Sequence, residues 1–204
     1  MSHAGSQPNS KADDVMGTPF VCVRLAEPFE QIIAKNPELI IEQTATGEIV
    51  FMPPTGGESG RSNSELCFQV QSWAKRHGGY CFDSSTLFCL PNGAKRSPDA
   101  SWIAPERWKQ LSKRDRESYP PICPDVVVEL RSKTDRLQDL QDKMNEYVNN
   151  GARLGWLIDP IYRAVYVYKP NIDVVCLQDC RQVSDDAILP GFVLDLTAIW
   201  PDSN

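Results

Sequence analysis

The sequence predicts a mixed α/β domain, with a central mixed sheet flanked by helices and a hairpin near its N-terminal end. Three observations point there. Val126-Val127-Val128, bounded by Pro124 and Ser132, reads as a short buried strand. Residues 60–77 and 135–150 repeat apolar side chains at helical spacing. Several short strand-like runs surround those two helices, the pattern of a sheet with helices on its faces. With 204 residues, 41% hydrophobic and 24% charged, the chain can bury a core without staples.

The elements follow in order. Residues 1–18 are rich in Ser, Asn, Asp, Gly and Pro and read as a flexible tail, leaving 19–204 as one domain. Residues 28–36 suggest a short helix. Leu39-Ile40-Ile41 and Ile49-Val50-Phe51-Met52 flank Thr46-Gly47 as a hairpin over 38–52, which Pro53-Pro54-Thr55-Gly56-Gly57 ends. The loop 56–62 reads as a turn able to offer N–H groups to a phosphate at a helix start. It contains neither a GxxxxGK[ST] loop nor a GxSxG elbow. Leu66, Val70, Trp73, Ala74 and His77 then stripe a helix over 60–77, with Asn63 on the same face and Gly78-Gly79 as its stop. Residues 80–90 and 97–103 read as strands joined through Pro91-Asn92-Gly93, and 105–119 as a charged helix. The strand at 126–131 precedes the helix at 135–150, closed by Gly151. Leu154–Ile158 is a strand ending at Asp159-Pro160. Val165–Tyr168 and Val174–Leu177 form a hairpin, and Pro190-Gly191-Phe192 opens a short last segment.

Composition narrows the chemistry. No apolar run reaches the roughly 18–20 residues that span a bilayer, and no apolar leader is visible. Seven cysteines without a CxxC spacing point to reduced thiols in a cytoplasmic protein. Only His3 and His77 supply imidazole, which argues against a Cys/His zinc site and against a Ser-His triad. The net charge of −6 is a poor overall footprint for nucleic-acid binding, although residues 95–116 concentrate seven Lys and Arg. That run also fits an ordinary solvated surface.

The strand at 126–131 carries the candidate chemistry. Side chains alternate, so Glu129 and Arg131 share one face while Val126, Val128 and Leu130 share the other. A carboxylate inside such a strand must be paired, protonated or metal-bound. A structural ion pair with Arg131 satisfies this as well as a functional site does. Asp125 is on Glu129's face but roughly 13 Å away at about 3.3 Å per residue, too far for one ion. Asp99, in Ser97-Pro98-Asp99-Ala100-Ser101-Trp102-Ile103, belongs to a separate strand and can converge with Glu129 if the two strands pair. Lys143 borders the Leu140–Tyr147 stripe of the 135–150 helix, placed either to snorkel to water or to reach a carboxylate.

These residues carry a resemblance. Ser97-Pro98-Asp99 followed by Pro124-Asp125-Val-Val-Val-Glu129-x-Arg131-Ser132 resembles the PD-(D/E)XK nuclease pattern. With Lys143-x-x-x-Tyr147-x-x-x-Gly151 and Trp156-Leu157-Ile158-Asp159-Pro160, the chain is similar to the Uma-type family of restriction-endonuclease-like proteins over about residues 28–200. The resemblance implies a restriction-endonuclease-like core and hydrolysis of DNA phosphodiesters with Mg²⁺ or Mn²⁺. It implies that Asp99 and Glu129 bind the metal. The usual lysine of the E-x-K signature is Arg131 here, a fixed fork that stays charged and cannot act as a tunable base. The lysine's role would pass to Lys143, leaving Arg131 to grip a phosphate or fix Glu129. Asn63 stands where relatives often carry His. A homodimer is expected, since one such site cuts one strand. Two rival readings are a catalytically inactive nuclease fold that binds nucleic acid or a partner, and a structural protein in which Glu129 only forms an ion pair.

Overall fold

A computed structural model describes residues 26–200 together with the backbone of the strand Cys22–Val23, so the expected tail at 1–18 lies outside the described residues. In chain order the first half comprises β1 (Cys22–Val23), α1 (Phe29–Lys35), β2 (Ile41–Gln43), β3 (Ile49–Phe51), α2 (Gly57–His77), β4 (Tyr80–Asp83), β5 (Phe88–Cys89), β6 (Lys95–Arg96) and β7 (Ala100–Ile103). It continues with α3 (Pro105–Gln110), α4 (Lys113–Arg116), β8 (Val126–Leu130), α5 (Leu137–Asn149), β9 (Leu154–Asp159), β10 (Ala164–Lys169), β11 (Ile172–Gln178), β12 (Gln182–Ser184) and β13 (Val193–Asp195).

The central sheet has six strands in the order β11-β10-β9-β8-β7-β4. It is mixed: β8 and β9 run parallel, and the other neighbours are antiparallel. The parallel pair is joined through α5, the crossover such a pair requires. Alternation along β8 sorts two cores. Val126, Val128 and Leu130 pack with Leu66, Val70 and Trp73 of α2 on one face. Val127 packs with Leu140, Met144 and Tyr147 of α5 on the other. Gly155 of β9 permits close approach there, because a Cβ at that position would meet the end of Met144. A second sheet, β1-β3-β2-β6-β5, and α1 enclose a smaller core of Phe29, Ile32, Ile41, Ile49 and Leu87. The β12–β13 ribbon and the segment to Trp200 cover α2.

Three local expectations change. The turn expected at 56–62 is largely helical, since α2 begins at Gly57. Gly57 and Gly60 each cost about 1 kcal/mol relative to alanine in a helix. Burial of Leu66, Val70 and Trp73, at roughly 2 kcal/mol each, outweighs that cost. The first turns are also held by Arg61 donating to Ala198 O and Ser62 Oγ donating to Ile199 O. Residues 80–103 form four short strands rather than the two expected at 80–90 and 97–103, and the four are divided between the sheets. Asp83 interrupts the first run by accepting from Ser85 N at 3.0 Å, and Gly93 closes the β5–β6 turn at φ +91°. The expected 105–119 helix is split at Leu111, where Ser112 caps α4 by accepting from Asp115 N.

Candidate active site

The β7–β8 register brings the two expected carboxylates together. Ala100 faces Val128, so Asp99 falls opposite Glu129 one step beyond the ladder. Asp99 Oδ2 accepts from Leu130 N at 2.8 Å, and Asp99 Oδ1 accepts from Asn63 Nδ2 at 3.2 Å. Asn63 reaches the site from the first turns of α2, and its own Oδ1 is buried without a hydrogen-bond partner.

Glu129 points from β8 toward α5. Its Oε1 receives Lys143 Nζ at 2.9 Å and the Tyr147 hydroxyl at 3.0 Å. Lys143 and Tyr147 are four residues apart and therefore lie on one face of α5. Lys143 does not snorkel: only 4% of its surface is exposed. A buried ammonium needs compensating charge, and Lys143 has two carboxylates within 2.9 Å, Glu129 and Glu42.

Glu42 lies outside the expected set. It sits in β2, is 1% exposed, and receives Lys143 Nζ and Ser97 N on Oε1 at 2.9 and 2.8 Å. Its Oε2 pairs with Arg96 Nη1 at 3.1 Å, while Arg96 Nε donates to Glu146 Oε2 at 2.6 Å. The signal for it is present in the sequence: Glu42 follows the apolar run Leu39-Ile40-Ile41, the same embedded carboxylate that singles out Glu129.

Electrostatics sort these groups. Burial pushes the Glu129 carboxyl up to about 8, with the Asp99 and Glu42 charges adding to the rise against the pull of Lys143. Burial also raises Asp99, partly offset by the Leu130 N–H and by Lys143. Burial would raise Glu42 too, but Lys143 and Arg96 outweigh it and hold the carboxyl below its ordinary value. For Lys143 burial favours the neutral amine, yet Glu129 and Glu42 keep it charged beyond the usual lysine range. With every carboxyl ionised, Asp99, Glu129, Glu42 and Glu146 against Lys143 and Arg96 would sum to −2, a state that burial opposes at Glu129 and Asp99 and that a cation beside them would favour. A divalent cation matches that imbalance. Cys67 Sγ donates to Asp99 O, and burial, then Asp83 and Asp99, lift its thiol to about 11, leaving it a poor nucleophile.

Asp99, Glu129 and Asn63 line a cavity of about 450 Å³, walled by Met52, Pro53 and Pro54 on one side and by Ser132–Asp135 on another. Lys133 is the only cation among its lining residues. A second recess of about 340 Å³ shares Asn63 and Asp99. Two carboxylates with hard oxygen donors suit Mg²⁺ or Mn²⁺, ions that retain waters and need few protein ligands. The unpartnered Asn63 Oδ1 is a further oxygen beside them. Among the described residues no group of three or more His, Cys, Asp or Glu is arranged to hold a metal ion.

Arg131 is not brought to Glu129. Its Nη1 pairs with Asp159 Oδ2 at 2.8 Å, its Nε donates to Asp135 O at 3.1 Å, and it is 5% exposed. Asp125 serves the fold: it is fully buried, pairs with Arg107 at 3.0 Å and accepts from Ala104 N at 2.9 Å. No helix among the described residues is long and apolar enough to cross a membrane.

Comparison with known proteins bears on the family and the fold. Residues 26–197 match the model of the Uma2 family, described as "Putative restriction endonuclease". A solved structure described as a putative nuclease from Anabaena variabilis is 19% identical and superimposes with a TM-score of 0.67. The match covers 78% of this chain and 89% of that one, and at this identity it speaks to the fold. No curated protein matches the chain.

Proposed function

Because the chain belongs to the Uma2 family, which its model matches over residues 26–197, we propose that it is a metal-dependent endonuclease hydrolysing DNA phosphodiester bonds. The observation that carries this reading is Asp99 and Glu129 side by side at a cavity, with Lys143 held against Glu129. Asp99 and Glu129 would hold Mg²⁺ or Mn²⁺, which supplies an activated water and offsets charge on the phosphate. Asn63 orients Asp99, and Tyr147 orients Glu129. Lys143 supplies fixed positive charge for the phosphorane-like transition state. Lys133, at the cavity's exposed lip, meets the DNA backbone. Arg131, locked to Asp159, braces the end of β8. Since one such site cuts one strand, double-strand breakage calls for a homodimer.

Calorimetric titration with Mn²⁺ tests the metal assignment. Wild type binds one ion, and Asp99→Asn and Glu129→Gln each weaken binding at least tenfold. Equal affinity in all three proteins contradicts it. The competing reading is a catalytically inactive binding module on the same fold, favoured by a Lys143 wholly engaged by two carboxylates. Metal and DNA binding without cleavage identifies that case.

A further inference from the structure

We propose that Glu42 is a positioning residue of this site: the N-terminal sheet supplies the carboxylate that keeps the Lys143 ammonium in place and fixes the strand bearing Asp99. The inference rests on the roles of Asp99, Glu129 and Lys143 proposed above. One carboxylate joins three elements. Glu42 Oε1 receives Lys143 Nζ of α5 at 2.9 Å and Ser97 N at 2.8 Å, two residues before Asp99. Oε2 receives Arg96, which is anchored in turn by Glu146, one turn beyond Lys143 on α5. With 1% of Glu42 exposed, water contributes little to this network.

The need for a second anchor follows from competition. Lys143 and a divalent ion claim the same carboxylate, Glu129. An ammonium tethered to Glu129 alone would lose its partner when that carboxylate turns to a metal, and would be free to swing into the cavity or toward solvent. Glu42 is buried behind the site and is absent from the cavity lining, so it stays with Lys143 whatever Glu129 binds. The small sheet thereby becomes part of the catalytic unit, because its β2 carries the residue that sets where the positive charge stands.

The test observes the ammonium directly in the full-length protein by ¹⁵N–¹H NMR, with Mg²⁺ alone as the probe. In wild type the slowly exchanging Lys143 ammonium signal, assigned by its loss in Lys143→Gln, persists at saturating Mg²⁺. In Glu42→Gln it disappears on adding Mg²⁺. Glu42→Asp, which keeps the charge but shortens the reach, gives partial loss and serves if the glutamine variant does not fold. An ammonium signal that survives Mg²⁺ in the variants as it does in wild type overturns the proposal. Kinetics supply the second arm. Glu42→Gln lowers kcat about 10- to 100-fold, the scale of an ångström-sized misplacement, with KM within about twofold. In a Lys143→Met background the same substitution costs nothing more. Additive losses would assign Glu42 a role independent of Lys143 and overturn the proposal. A wild type that cleaves no DNA refutes the nuclease reading, while the NMR arm still decides the placement of Lys143.

Discussion

Lys143 is a charged side chain withdrawn from water, and its two carboxylate neighbours determine its state. Helix periodicity places it beside the apolar stripe, but periodicity does not distinguish a lysine that snorkels from one that reaches inward. That choice depends on Glu42, which is 101 residues earlier in the chain and belongs to another sheet. Glu129 was legible because a carboxylate in a three-valine strand demands a partner, whereas its partner's identity depends on packing. Arg131 shows the same limit, since its claimant is Asp159 at the end of the neighbouring strand. Two predictions belong at this scale. Lys133 is exposed at the cavity lip, so Lys133→Ala should raise KM for DNA about fivefold, equivalent to about 1 kcal/mol for an exposed charge contact, and leave kcat unchanged in steady-state assays. Glu42 titrates below its ordinary value of 4.5 in the folded protein. Its contribution to stability is therefore present above about 4.5 and lost as pH falls through the folded value. Scanning calorimetry should find the Tm gap between wild type and Glu42→Gln widest near neutrality and narrowing in acid. A gap independent of pH contradicts that linkage.

At the scale of elements, strong periodicity was readable and short-range exceptions were not. The strand β8, the helix α5 and the hairpin β10–β11 fall close to where alternation and helical stripes put them. Treating Ser97–Ile103 as a separate strand left the meeting of Asp99 and Glu129 conditional on strand pairing, and the β7–β8 ladder supplies that pairing. The start of α2 was missed because Gly57 and Gly60 signal a turn locally, while contacts with Ala198 and Ile199 hold the helix. The division of 80–96 between two sheets follows side-chain turns such as Asp83–Ser85, which strand alternation does not register. Gly79 joins α2 to β4 at φ +87°, and a Cβ there would collide with the Trp102 indole. Gly79→Ala should thus destabilise by about 3 kcal/mol, combining backbone strain with overpacking. Asp125→Ala should cost about 2–3 kcal/mol by leaving the Ala104 N–H unpaired and removing the partner of the partly exposed Arg107. Denaturant unfolding measures both, and a change below about 1 kcal/mol in either contradicts the packing described.

Across the whole molecule, two sheets and two long helices bring together charges that are far apart in the chain. The net charge is −6, and the carboxylates gathered at the cavity outnumber the cations available to meet a phosphate. A polyanionic substrate approaches such a site poorly until a divalent ion offsets the carboxylates, so DNA binding and chemistry should share one metal requirement. Cleavage of supercoiled plasmid with Mg²⁺ or Mn²⁺ by wild type, Asp99→Ala and Lys143→Ala measures this most directly. The account predicts nicking by wild type that EDTA abolishes and that falls at least about 100-fold in each variant, the scale of losing a metal ligand or a transition-state charge. Absence of cleavage by wild type, or equal cleavage by all three proteins, would contradict it.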